Sequence, residues 1–202
     1  MKTLNKNFGF DLDNTLIDYS EAVKEYCKIK SVDTCSNIRI LREKLGKNGS
    51  SDHEWQLAQG WLYTEGLRYA QPGFGSIALC NYLTQNGYHL FIVSHKTSYT
   101  PDFCGRIPLH DLATNWIKKS AIANYFKGSD QIYYELTREL KIKRIRELSL
   151  NYFVDDLEEI FAEPEFPINT QGFLINKNKS QNSKVKCVAN FKNIQEIISD
   201  DF

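Results

Sequence analysis

Short apolar runs that favour strands alternate with helical stretches along most of this 202-residue chain, and this alternation constrains the fold more than any other feature. Five such runs are predicted to be strands, at Phe8–Phe10, His89–Val93, Gln131–Tyr134, Tyr152–Val154 and Phe173–Ile175. Helical patterns separate or follow them, at 75–86, 112–125, 137–148, 157–161 and 193–199. Strands that alternate with helices predict an α/β fold with a Rossmann-like, mainly parallel sheet flanked by helices.

One stretch breaks this alternation. Between residues 19 and 70 the sequence has only helical patterns, at 21–30, 37–45 and 52–69. We therefore expect an α/β core made of residues 1–18 and 71–202, with an all-helical insert at 19–70 after the first strand. Aromatic residues crowd the last helix of the insert, and most of them are expected to pack inside it: Trp55, Trp61, Tyr63 and Tyr69.

Two acids separated by one residue, Asp11 and Asp13, follow the first predicted strand. If the strand conformation continues past Phe10, both side chains lie on the same side of the backbone. Two neighbouring carboxylates repel each other, and burial is costly unless a cation or hydrogen bonds compensate. Hard oxygen ligands of this kind suit Mg²⁺, which commonly binds one or two carboxylates together with phosphate oxygens. An alternative is a turn rich in Asp that caps a helix beginning near Thr15.

A second acidic pair, Asp155 and Asp156, follows the strand predicted at 152–154 and repeats this pattern. Two lysines, Lys141 and Lys143, lie on the helix just before that strand. They are about 200° apart around a helix, so both cannot face one site. Ligands of open α/β sheets bind outside the carboxyl ends of the strands, which is where both acidic pairs are expected.

A hydroxyl residue, Ser94, ends the strand predicted at 89–93 and could donate a hydrogen bond to a phosphoryl oxygen. The loop that follows begins with His95 and Lys96, which could reach the same rim. Lys96 stands where an anionic substrate could use it. We include Trp61 as a candidate for the rim from the helical insert, although the sequence does not indicate which aromatic residue faces a pocket.

Taken in order, these segments resemble the four motifs of the haloacid dehalogenase (HAD) superfamily. The run Asp11-Leu12-Asp13-Asn14-Thr15 matches the first motif, Asp-x-Asp-x-Thr/Val. The resemblance implies that Asp11 is a nucleophile that forms an aspartyl-phosphate and that Asp13 is a general acid and base. It also implies that Asn14 and Thr15 lie at the phosphate, where the Thr15 hydroxyl steadies the loop.

Ser94 matches the second motif of the family, whose hydroxyl binds the phosphate. The third motif is a lysine, which we assign to Lys141 and not to Lys143, and it also contacts the phosphate. The adjacent acids match the fourth motif, with Asp156 bound directly to the metal and Asp155 as its helper. The cofactor implied is Mg²⁺, and the implied metal ligands are Asp11, Asp13, Asp155 and Asp156. The insert at 19–70 resembles the small helical cap that covers the site in HAD phosphatases.

The resemblance implies a Mg²⁺-dependent phosphatase that acts on small phosphorylated metabolites. A phosphomutase is an alternative, since it differs in excluding water from the aspartyl-phosphate. A nucleotidase is another, because an aromatic cap could stack a base. A binding protein on a degenerate HAD fold is a third, although the loss of acids or lysine that would favour it has not occurred.

Composition excludes some other classes of function. The chain has 25 basic and 25 acidic residues, so a nucleic-acid partner, which needs a basic face, is not expected. No apolar run reaches the length of a membrane span, and residues 1–6 are not followed by an apolar signal core. Five cysteines without metal-binding spacing are typical of reduced thiols, so we expect a cytoplasmic protein. The sequence gives no indication of the oligomeric state.

Overall fold

The computed structural model describes residues 6–47, 52–175 and 185–200. Six of the described strands form one sheet in the order β5-β4-β1-β6-β7-β8, and every pairing in it is parallel. The strands are β1 (Lys6–Phe10), β4 (Tyr88–His95), β5 (Ile132–Glu135), β6 (Tyr152–Asp155), β7 (Gln171–Ile175) and β8 (Val185–Val188). The α/β fold and the parallel sheet predicted from the sequence are confirmed.

The five predicted strands all belong to this sheet, whereas the sixth, β8, was not predicted. It lies at the edge of the sheet, where one side of a strand has no partner strand. Of its four residues, Lys186 is exposed, Val185 and Cys187 are partly buried, and Val188 is buried. A strand that is so short and so weakly apolar gives little signal in the sequence.

Both faces of the sheet are covered by apolar side chains, which form one cluster on each face. Successive residues of a strand point to opposite faces and so belong to different clusters. Ile92 and Val154 belong to one apolar cluster, and their neighbours Val93 and Phe153 belong to a second cluster. The helices of this core are α4 (Ser76–Gln85), α5 (Leu109–Lys119), α6 (Arg138–Glu147), α7 (Glu158–Ala162) and α8 (Phe191–Asp200). Helices α4, α5 and α8 contribute to the first cluster, and α6 and α7 to the second.

Two helix boundaries agree with the sequence signals. Thr137 caps α6, since its side-chain oxygen accepts a hydrogen bond from the backbone N–H of Leu140. Gly87 follows α4 with a φ of 77°, a conformation that glycine adopts at little cost.

The helix predicted at 112–125 is wrong at both ends. It begins at Leu109 and ends at Lys119, because Ser120 is extended, and a separate 3₁₀ turn follows at Ala123–Tyr125.

Two side chains lie against the backbone of the interior strand β1, which explains the glycine at its centre. A Cβ atom on Gly9 would lie 2.3 Å from Leu150 Cδ1 and 2.8 Å from Phe153 Cδ2. Any larger residue would therefore have to displace these two side chains.

The described part of 19–70 contains three helices and a 3₁₀ helix: α1 (Ser20–Lys30), α2 (Ile38–Lys47), α3 (Asp52–Leu62) and Glu65–Tyr69. The helix predicted at 52–69 is thus interrupted after Leu62. The chain enters and leaves this helical segment through an antiparallel ribbon, in which β2 (Ile17–Asp18) pairs with β3 (Gln71–Pro72). The ranges predicted for the core and the insert include residues that lie outside the described part of the chain, namely 1–5, 48–51, 176–184 and 201–202.

Among the described helices, none combines the length and apolarity needed to cross a lipid bilayer.

Candidate active site

A buried lysine joins two carboxylates at the carboxyl end of the sheet. The register pairs Phe10 of β1 with Val154 of β6, so the next residues, Asp11 and Asp155, are neighbours. The backbone N–H of Asp11 donates to Val154 O at 2.8 Å and extends the ladder by one residue. Lys141 Nζ lies 2.6 Å from Asp11 Oδ1 and 2.7 Å from Asp155 Oδ2.

This lysine comes from α6, which lies in the chain just before β6. The Lys141 side chain is 2% exposed, whereas that of Lys143 is 66% exposed and pairs with Glu147 on the helix surface. Burial opposes the charge of Lys141, but the two carboxylates outweigh it, and the pKa of Lys141 is raised. Lys141 is therefore the cation that compensates the buried acids. This agrees with the angle between the two lysines around the helix, which allows only one of them to face the site.

Three carboxylates, those of Asp11, Asp155 and Asp156, form a cluster whose ligand oxygens all lie within 4.8 Å of one another. Burial raises the pKa of Asp11 well above its ordinary value, and the charges of Asp155 and Asp156 raise it further against the opposing charge of Lys141. Burial and Asp155 likewise raise the pKa of Asp156 to about 7. The cluster thus has more negative charge than its surroundings compensate.

The donor set of this cluster fits a hard divalent cation. It offers carboxylate oxygens only, which is the ligand type that Mg²⁺ prefers. Asp155 is already bound at both oxygens, since Oδ1 accepts from the backbone N–H of Leu157 at 2.8 Å and Oδ2 contacts Lys141. Asp156 contacts Arg39, whose guanidinium reaches its backbone oxygen and lies 3.4 Å from Oδ2. Of the two adjacent acids, Asp156 is the one held less tightly by the protein.

Asp13, the fourth residue predicted to bind the metal, is not one of the three clustered carboxylates and contacts donors of the protein. Its Oδ2 lies 2.5 Å from Lys96 Nζ, and its Oδ1 accepts a hydrogen bond from the Tyr19 hydroxyl at 2.7 Å. Both carboxylate oxygens are thus directed to donors of the protein.

Ser94 lies at the end of β4 and is 1% exposed. Within the described part of the chain, its hydroxyl has no hydrogen-bond partner. A buried hydroxyl without a partner is costly, and an oxygen of a bound ligand would satisfy it. Ser94 lines a cavity of about 280 Å³ together with Asp11, Asp13 and Lys141.

The cavity has walls from both the core and the helical segment. The core contributes the loop after β4, α3 contributes polar side chains, and the residue after α3 contributes one aromatic ring. Its remaining lining residues are Asn14, Gln56, Gln59, Gly60, Tyr63, His95, Lys96, Thr97, Thr100, Pro101, Leu109, Asp156, Leu157 and Ile160. The two walls touch near Gly60, where an added Cβ would lie 3.1 Å from Cys104 Sγ.

The turn after Asp13 contains two residues predicted to bind phosphate, Asn14 and Thr15, and they differ in the space that they line. Asn14 has a φ of 61°, a left-handed conformation that asparagine tolerates, and it lines the cavity. Thr15 is 3% exposed, its hydroxyl has no described partner, and it lines a separate adjoining cleft of about 720 Å³. Thr15 thus lines a different space from Ser94 and Lys141, although Asn14 and Asp156 line both.

Of the three residues predicted at the rim, His95 and Lys96 line the cavity and Trp61 does not. The prediction for Trp61 is wrong, because its ring packs inside the helical segment, 5.5 Å from the Tyr26 ring and 6.2 Å from that of Tyr69. The aromatic residue that faces the cavity is Tyr63. Lys96 lies deeper than a rim residue, with a side chain that is only 4% exposed.

Several residues at the site were missed by the sequence argument. Tyr19, Arg39, Gln56 and Gln59 reach it from the helical segment, whose position relative to the sheet has no local sequence signal. Lys96 was predicted at the rim, but its contact with Asp13 was not, because that contact depends on two strands being neighbours.

No protein-family model matches the sequence, and no curated protein sequence matches it either. Solved structures do match. A protein described as a predicted phosphatase from Clostridium acetobutylicum is 15% identical, with a TM-score of 0.61 over 98% of this chain and 100% of that one. A HAD-superfamily hydrolase of subfamily IA from Geobacter sulfurreducens is 16% identical, with a TM-score of 0.56 over 96% of each chain.

Protein Tyrosine Kinase A from Mycobacterium tuberculosis is also similar, at 14% identity and a TM-score of 0.61 over 96% of this chain and 98% of that one. Its description names a different activity from those of the other two proteins. The structural similarity therefore indicates the fold and does not identify the reaction. Many of the structural neighbours are HAD-superfamily hydrolases that match nearly the whole chain. This chain has the fold of the haloacid dehalogenase superfamily hydrolases.

Proposed function

We propose that this protein is a Mg²⁺-dependent phosphatase that hydrolyses small phosphate monoesters through an aspartyl-phosphate on Asp11. The observation that carries the proposal is the buried contact of Lys141 with Asp11 and Asp155, at 2.6 and 2.7 Å, beside the hydroxyl of Ser94 in one cavity. A protein that only bound a ligand would have no need for a buried nucleophile held by a buried cation at such a cost in desolvation.

In the first step, a carboxylate oxygen of Asp11 attacks phosphorus, and the bond from phosphorus to the ester oxygen breaks. Lys141 contacts Oδ1 of Asp11, so we assign the attack to Oδ2. The Lys141 ammonium and the Ser94 hydroxyl offset negative charge on the transferring phosphoryl group. A proton on Asp13 passes to the leaving oxygen, which leaves Asp13 as a carboxylate.

In the second step, Asp13 accepts a proton from a water molecule whose oxygen attacks the phosphorus of the aspartyl-phosphate. The bond from phosphorus to Asp11 breaks, so the carboxylate of Asp11 is regenerated and inorganic phosphate is released. The proton taken from water restores Asp13 for the next turnover. Protons and charges therefore balance over one cycle.

The residues that would hold Mg²⁺ are Asp11, Asp155 and Asp156, with Asp156 as the direct ligand and Asp155 as its helper. When bound, the ion supplies positive charge that stabilises the phosphoryl oxygens. The supporting observation is the surplus of buried carboxylates, because two of the three have a raised pKa in the metal-free protein.

We further propose that residues 19–70 act as a cap that selects the substrate. The cap supplies Gln56, Gln59 and Tyr63 to the cavity, whereas Asp11, Asp13, Ser94 and Lys141 all belong to the core. The Tyr63 ring already contacts Lys96 and Tyr19, so it offers less free surface to a stacked base than the sequence alone suggested. A cap of this kind would exclude water from the reaction and contact the part of the substrate that leaves.

The substitution Asp11→Asn tests the proposed reaction. It removes the nucleophile and also a buried charge, so the fold should remain intact while turnover of p-nitrophenyl phosphate with Mg²⁺ falls by a factor of about 10³ or more. The matched control is Asp33→Asn, at an acid whose side chain is 92% exposed, and its activity should equal that of the wild type. Near wild-type turnover in folded Asp11→Asn protein would overturn the mechanism.

A further inference from the structure

Lys96 is a buried cation whose role the proposed chemistry does not assign. Its Nζ lies 2.5 Å from Asp13 Oδ2, and its side chain is 4% exposed. Its backbone is fixed on both sides, since its N–H donates to Glu135 O at 2.9 Å and its carbonyl oxygen lies 2.9 Å from His110 Nε2. A lysine is seldom buried without a partner, and here the partner is Asp13.

Asp13 is held from its other side as well. The Tyr19 hydroxyl donates to Oδ1 at 2.7 Å. The Tyr63 ring then packs against both donors, since its centroid lies 4.1 Å from Lys96 Nζ and 5.4 Å from the Tyr19 ring. Asp13 therefore accepts a hydrogen bond at each carboxylate oxygen, and neither donor is free to turn away without disturbing Tyr63.

We propose that Lys96 is a positioning residue, which holds the side chain of Asp13 in the orientation needed to take a proton from the water that hydrolyses the aspartyl-phosphate. The inference rests on the proposed function, because it assumes that Asp11 carries the phosphoryl group. Two donors that hold both carboxylate oxygens of Asp13 in place lower the cost of orienting this side chain at the moment of reaction.

The alternative role for Lys96 is direct binding of the substrate. The contacts argue against this, because its ammonium group already lies against the carboxylate of Asp13 and the face of the Tyr63 ring. A positioning role and a binding role affect different kinetic constants. Positioning for the second step slows breakdown of the aspartyl-phosphate, whereas substrate binding changes KM and the first step.

The test is rapid mixing of Lys96→Met protein with p-nitrophenyl phosphate and saturating Mg²⁺. Nitrophenolate is a good leaving group, so the first step needs little help from an acid. We expect a stoichiometric burst of nitrophenolate at about the wild-type rate, followed by a steady state slowed by about 10- to 100-fold. Acid quenching should then trap the phosphorylated protein. A raised KM without a burst would overturn the proposal in favour of substrate binding, and equal slowing of both phases would overturn it in favour of a structural role.

Three further variants separate this inference from the proposed function. Lys96→Gln keeps a hydrogen-bond donor without the charge, so it should give the same burst with a smaller loss of the steady-state rate. This variant also provides the test if Lys96→Met does not fold. Asp13→Asn should give a burst with a larger loss, and Asp11→Asn should give none. If Asp13→Asn shows no burst, the two-step reaction is wrong and both proposals fall. If Asp13→Asn shows the burst and both Lys96 variants do not, the assignment of Lys96 alone is wrong. Lys143→Met, at an exposed position, is the control and should match the wild type.

Discussion

At the scale of single residues, the site is governed by the compensation of buried charge. Lys141 serves two carboxylates at once, those of Asp11 and Asp155, and all three side chains are nearly inaccessible to water. A buried charge that loses its partner has neither water nor protein to stabilise it. The stability of the fold and the chemistry of the site therefore depend on the same contacts.

The substitution Lys141→Met should consequently destabilise the protein as well as inactivate it. We expect the free energy of unfolding to fall by about 3–5 kcal/mol, because two buried carboxylates would lose their cation. Lys143→Met makes the same change at an exposed position of the same helix and should cost about 0.5 kcal/mol or less. Urea unfolding of both variants measures the difference, and equal losses would show that the buried contact contributes no net stability.

The raised pKa of Asp156, about 7, predicts a dependence of stability on pH in the metal-free protein. This residue holds a proton in the folded state over a range in which the unfolded chain, with an ordinary value of 3.8, has lost it. The free energy of unfolding should therefore fall as the pH rises from about 4 to about 7, and Asp11 adds a fall of the same sign. Bound Mg²⁺ requires ionised ligands, so its stabilising effect should be larger at about pH 7.5 than at about pH 5.5.

Thermal unfolding at both pH values, with Mg²⁺ and with a chelator, measures this effect. In Asp156→Asn protein the pH dependence should be weaker and the stabilisation by Mg²⁺ should be smaller. A Mg²⁺ effect that is the same at both pH values, or that is unchanged in the variant, would contradict the assignment of Asp156 as a ligand.

At the scale of elements, α3 has two different faces. Ala58 and Leu62 are buried in the apolar cluster, whereas Gln56 and Gln59 line the cavity together with Tyr63, which directly follows the helix. Residues three positions apart share one side of a helix, which explains why the two glutamine side chains face the same space. The cavity wall supplied by α3 is thus polar and uncharged, and it suits hydroxyl groups on the leaving part of a substrate better than a second anion.

Gln59→Ala should therefore alter selectivity and leave the chemistry intact. We expect kcat/KM for a sugar phosphate or polyol phosphate to fall by about 2- to 10-fold, the usual effect of one lost hydrogen bond. Turnover of p-nitrophenyl phosphate should stay within about two-fold, because its flat ring offers that wall little to bind. Glu54→Gln, on the exposed side of α3, is the control. Equal losses on both substrates would mean that α3 supports the fold and does not select the substrate.

At the scale of the whole molecule, the parts of the site that could be predicted from the sequence are those that follow from strand ends. Asp11, Ser94 and Asp155 each stand at the end of an apolar run, and a parallel sheet brings such ends to one edge. The angle around α6 showed that only one of the two lysines could face the site, and the family resemblance selected Lys141. Tyr19 and Arg39 could not be predicted, because their contacts depend on how the helical segment lies against the sheet. Trp61 was misplaced for the same reason, since helical spacing alone does not say which side of α3 faces the core.

The order of strands in the sheet has a consequence for synthesis of the chain. β1 is made first, yet it lies in the interior of the sheet between β4 and β6, and its partner residues at 152–154 emerge about 140 residues later. At about 5–20 residues per second, a ribosome leaves the apolar segment Phe8–Phe10 without that partner for roughly 7 to 28 seconds. Nascent or truncated chains that end before residue 152 therefore expose an edge of β1 that is ready to pair with other chains. The strand that ends just before Asp11 therefore needs protection until β6 has been made.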